Sequence, residues 1–78
     1  MHEAQKDTQR ALAAAKAIFD GRDPKADASA VLVTAEHAFA AVLLAIYKDP
    51  RMAASMLTEG LLPGIEQRLA FYASKERG

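Results

Sequence analysis

Glu36 and His37 stand side by side in the most apolar stretch of the chain, and no other pair here is better suited to move a proton or hold a metal ion. Their spacing argues against both jobs. Adjacent positions on an α-helix point about 100° apart, so the two side chains cannot close on one ion. Helical metal sites use ligands three or four residues apart, as in Glu-x-x-His or His-Glu-x-x-His. Neither pattern occurs, and the second histidine, His2, sits at the far end of the chain. There is no cysteine, which removes thiolate ligands and disulfides. No metal and no cofactor are expected.

Nucleophilic chemistry has as little support. Ser29, Ser55 and Ser74 lack the flanking glycines of a nucleophile elbow. Gly60-Leu61-Leu62-Pro63-Gly64 resembles a phosphate loop only in its glycines, because no Lys-Ser/Thr pair follows. No catalytic residue is assigned, and the chain is not expected to be an enzyme. Glu36 remains the candidate perturbed carboxylate. On a helical wheel it falls between two apolar patches, where a carboxylate is partly desolvated. A plainer reading makes it a rim residue paired with Arg10 or Arg68.

The elements that carry these residues are marked by proline and glycine. Gly21, Pro24, Pro50, Gly60, Pro63 and Gly64 divide the 78 residues into four segments. None alternates apolar and polar residues for long, so the fold class is all-α. The first helix spans about His2–Asp20, with Ala4, Thr8, Ala11, Leu12, Ala15, Ile18 and Phe19 on one face and Gly21 as its left-handed stop. Asp23-Pro24 reads as a cap followed by proline at the first helical position, with Asp27 as a competing cap. A long central helix then covers about 24–48. Asp49-Pro50 repeats the signal and opens a short third helix to Glu59, closed by a left-handed Gly60. A last helix opens near Pro63 and buries Ile65, Leu69, Tyr72 and Ala73, and Ser74–Gly78 is a frayed tail.

The central helix dominates the expected architecture. Ten consecutive residues, Ala38 to Tyr47, are apolar. Val31, Leu32, Phe39, Val42, Leu43 and Ile46 share an arc of about 120°, and Val33, Leu44 and Tyr47 form a second patch. A helix apolar on two sides is contacted on two sides. Eighteen residues of the chain are alanine, so few large side chains remain to cover it. The expected fold is one domain over 1–78, a small bundle of three to four helices around this central helix. Val33, Leu44 and Tyr47, with the off-face aromatic Phe71, are the candidate interface residues. Buried between two copies, they would make the protein a homodimer, with Leu44→Glu or Tyr47→Glu giving a less stable monomer.

Charge narrows the function classes. Ten basic and ten acidic residues cancel. Nucleic-acid binders usually carry a basic excess, and amphipathic membrane binders a basic face. The third and fourth segments resemble a helix-turn-helix, yet Gly64-Ile65-Glu66-Gln67-Arg68 offers only Gln67 and Arg68 to bases. Ala30–Tyr47 is long enough for a membrane span, but Glu36 and His37 in its middle oppose insertion. The polar, acid-containing N-terminus is not expected to serve as a signal peptide. The expectation is a cytoplasmic, non-catalytic protein–protein interaction or regulatory module, bound to itself and to an unidentified protein. Neither a membrane nor nucleic acid is an expected partner. The alternatives are a nucleic-acid-binding regulator and an accessory subunit of an enzyme. The alanine-rich composition, without asparagine or tryptophan, suits a GC-rich bacterial genome.

Overall fold

The computed structural model describes residues 2–77, all-helical in class, with no strand among them. Helix α1 is His2–Phe19, α2 is Ala28–Tyr47, α3 is Pro50–Met56 and α4 is Leu62–Arg77. A π-helical segment, Leu57–Leu61, joins α3 to α4 without a break. The described residues therefore make three continuous helical runs. Its contacts fall into two units, Met1–Phe39 and Ala40–Gly78, and the division lies inside α2.

In the first unit the chain leaves α1 through two left-handed residues, Asp20 at φ 49° and Gly21 at φ 73°. Gly21 takes the role its position predicts, since glycine adopts that conformation without a Cβ penalty. Arg22 then turns back onto the end of α1. Its guanidinium donates to the carbonyls of Phe19 at 3.0 Å and Ile18 at 2.6 Å, and to Thr34 Oγ1 of α2 at 2.9 Å. Carbonyls in the last turn of a helix lack intrahelical donors, and a cation satisfies them and the helix dipole together.

Asp23 caps one turn only. Its Oδ1 accepts the Lys25 N–H at 2.8 Å, while the Asp27 carboxylate accepts the Asp23 N–H at 3.0 Å. Regular helix starts at Ala28 and not at Pro24. Val31 is buried, and Ala28, Thr34, Ala35 and Ala38 are half-buried on the same arc of about 120°. Among the described side chains of α1 only those of the final turn, Ile18 and Phe19, are half-buried. Leu12 and the rest of the expected apolar face are exposed, because side chains as short as alanine fill that face.

The second unit corrects the reading of Gly60. Asp49 caps α3 as expected, in extended conformation and accepting the Arg51 N–H at 3.0 Å, with Pro50 following. The chain does not stop at Gly60, whose φ is not positive, and no corner separates α3 from α4. The reason is Pro63. Proline donates no N–H, and in a regular helix its ring would press on the carbonyl four residues back, that of Glu59. The backbone widens instead of breaking: the Leu62 N–H reaches five residues back to the Leu57 carbonyl.

That extra residue also resets the faces. In an unbroken α-helix Leu61 and Ile65 would lie about 80° and 120° around from Ala53. One π-turn shifts everything after it by about 100°, which returns both to within about 20° of Ala53. Ala53 is buried, and Met56, Leu61, Gly64 and Ile65 are half-buried on this stripe. Leu43 and Tyr47, at the end of α2, are the buried and half-buried residues that α2 contributes. Beyond Ile65 the stripe is open. Leu69, Tyr72 and Ala73 are exposed instead of buried, and Ser74–Glu76 is helical where a frayed tail is expected. Gly78 lies outside the described residues.

Candidate interaction surface

Glu36 and His37 sit in mid-α2, and both are exposed. The partial desolvation expected for Glu36 does not occur, because its apolar neighbours Leu32, Val33 and Ala40 are themselves exposed. No group of three metal-ligating side chains forms among the described residues. The side chain of His2 lies outside them.

Of the candidate interface residues, Val33 and Leu44 are exposed and Tyr47 is half-buried. All three lie within an arc of about 60° on α2. Phe71 is exposed on α4, where its ring meets Tyr72 edge-to-face at 5.7 Å and 64°. The Lys75 ammonium stands 5.5 Å from the Phe71 ring centre, within cation–π range. With Gly64, Gln67 and Arg68 these aromatics line a shallow open groove along α4. A helix-turn-helix would need a corner before this helix, and residues 50–77 run straight through it as helix.

The larger departure concerns the arc expected to be core. Of Val31, Leu32, Phe39, Val42, Leu43 and Ile46, only Val31 and Leu43 are buried. The other four are open because too few large side chains exist to cover them. Where α1 does bury residues it presents only Ile18 and Phe19. By length and composition α2 would suffice to cross a membrane, yet just these two of its residues are buried. Exposed apolar length on this scale is what interaction surfaces offer.

Arg22, which ties α1 to α2, is the residue that sequence reasoning missed. Its signal was legible: a cation directly after an Asp-Gly helix stop is placed to meet the last carbonyls. No known family model matches the chain, and no curated protein or solved structure matches it.

Proposed function

We propose that this chain is a small non-catalytic interaction module of the cytoplasm that works as a homodimer and regulates or assembles a further protein. One observation carries the reading: α2 is the most apolar element, and 13 of its 20 residues are exposed. A helical bundle of three to four helices around α2 is then completed by a second copy. Net charge of zero offers little repulsion to such pairing, and two-fold pairing is the commonest way to bury an apolar face.

Light scattering behind a sizing column tests this at tens of micromolar. Twice the chain mass supports it, and a single-chain mass refutes it. The same length and composition favour a second reading, insertion of α2 into a bilayer, which Glu36 and His37 oppose. Flotation of the protein with liposomes in a density gradient would establish that reading in place of the dimer. Steeply salt-dependent binding to random DNA would instead favour a nucleic-acid regulator.

A further inference from the structure

We propose that the Asp20-Gly21 link is a site of spontaneous covalent modification. The peptide bond transfers from the main-chain to the side-chain carboxyl of Asp20, and the β-linked product releases the clamp by which Arg22 holds α1 to α2. This reaction needs a carboxyl free to be attacked, an amide nitrogen free to attack it, and room for a five-membered ring between them. The end of α1 supplies all three.

Asp20 and Gly21 are both exposed. The Asp20 N–H donates to the Lys16 carbonyl at 3.0 Å and the Arg22 N–H to that of Phe19 at 2.9 Å, but the Gly21 N–H between them meets no acceptor among the described residues. Even an added Cβ at Gly21 would find nothing within 4 Å, so the attacking nitrogen is unobstructed. Asp23, Asp27 and Asp49 each hold a backbone N–H with the carboxylate. Among the described residues Asp20 holds none. Asp20 also stands at φ 49°, a left-handed conformation that a Cβ disfavours, so rotation toward the ring relieves strain. The other aspartates lack this combination. Asp23 and Asp49 precede prolines, which have no N–H to lose. Asp7 precedes the β-branched Thr8 inside α1, and Asp27 precedes Ala28 at the start of α2.

The step needs no co-reactant beyond water. The Gly21 nitrogen bonds to Asp20 Cγ. One carboxyl oxygen leaves as water, taking the Gly21 amide proton and a second proton from solvent, and a succinimide ring remains. Water then adds to the main-chain carbonyl carbon of Asp20, whose bond to the nitrogen breaks. The nitrogen regains its proton and the other proton returns to solvent. Mass and charge are unchanged, but the chain now runs through Cβ and Cγ and is one atom longer. That atom falls between Phe19 and Arg22. The Arg22 fork meets the Ile18 and Phe19 carbonyls and Thr34 Oγ1 at 2.6 to 3.0 Å, and bonds this short weaken steeply when donor and acceptor are displaced.

The full chain, kept near neutral pH at physiological temperature in heavy-oxygen water, tests this after tryptic cleavage at Lys16 and Arg22. The peptide Ala17–Arg22 should gain a second chromatographic form that carries one heavy oxygen and resists a protease cutting before aspartate. Asp7 and Asp27 should lag behind Asp20 by about tenfold or more. Asp20→Asn closes the same ring with ammonia as leaving group and should give the same product faster. Asp20→Glu closes only a six-membered ring and should give almost none. Circular dichroism confirms that both variants stay helical. The separated β-linked chain should melt lower by as much as Arg22→Ala does, and the two changes together should lower it no further. If Asp20 keeps its linkage in the folded chain and loses it only in urea, the helix end protects the bond and the site is overturned. Isomerisation that leaves the melting temperature unchanged overturns the release of Arg22.

Discussion

Replacing Gly60 by alanine should stabilise the protein, although a glycine between two apolar segments invites the opposite expectation. Gly60 lies in the π-helical segment with no positive φ. Alanine there gains the helix propensity that glycine lacks, about 0.8–1.0 kcal/mol, partly by restricting the unfolded chain. The new Cβ would meet one atom, Met56 Cε at 3.4 Å. That is the end of a flexible thioether, which can move a few tenths of an ångström at small cost. The expected net gain is about 0.5–1 kcal/mol, a rise of about 3–6 °C in melting temperature for a chain of this size. Gly21→Ala is the internal contrast. Nothing lies within 4 Å of a Cβ at Gly21, but its φ of +73° makes alanine strained, with a loss of about 1 kcal/mol. Urea unfolding followed by far-ultraviolet circular dichroism, at one fixed chain concentration, gives both values. Loss of stability in Gly60→Ala comparable to that in Gly21→Ala would refute the π-helical assignment and restore a left-handed stop at Gly60.

Three further outcomes follow from local geometry. Arg22→Ala removes the donors to Ile18, Phe19 and Thr34 and should cost about 1–2 kcal/mol in the same urea titration. Arg22→Lys should recover little of it, because an ammonium lacks the planar fork. Asp49→Ala should cost about 1 kcal/mol and Asp49→Asn much less, since asparagine also accepts the Arg51 N–H. Lys48, at φ 64° after α2, holds a conformation that disfavours a Cβ, so Lys48→Gly should raise the urea midpoint while Lys48→Ala should not.

How much was legible differs from element to element, and the differences have physical causes. Short-range signals came through at two places and failed at a third: Asp23-Pro24 gives one turn only, whereas Asp49-Pro50 caps α3 and Gly21 ends α1. Each depends on a few adjacent dihedral angles and one or two hydrogen bonds, which the local residues settle between themselves. Gly60 and Pro63 misled because both residues commonly end helices, and nothing in their order says whether a proline will break a turn or widen it.

The tertiary structure alone decided which apolar residues are covered. Periodicity places Leu32, Phe39, Val42 and Ile46 on one face of α2, but a face acquires a partner only when another element reaches it with enough side chain. An alanine-rich chain does not supply one, so Val31 and Leu43 are buried while their neighbours on the same arc stay open. The π-turn is a second such decision. One additional residue within a turn rotates Leu61 and Ile65 onto the stripe of Ala53 and Met56. All-helical class and the identity of the apolar helix were properties of the sequence. Burial was not, because burial is a property of pairs of surfaces, and one strand of letters describes each surface without its mate.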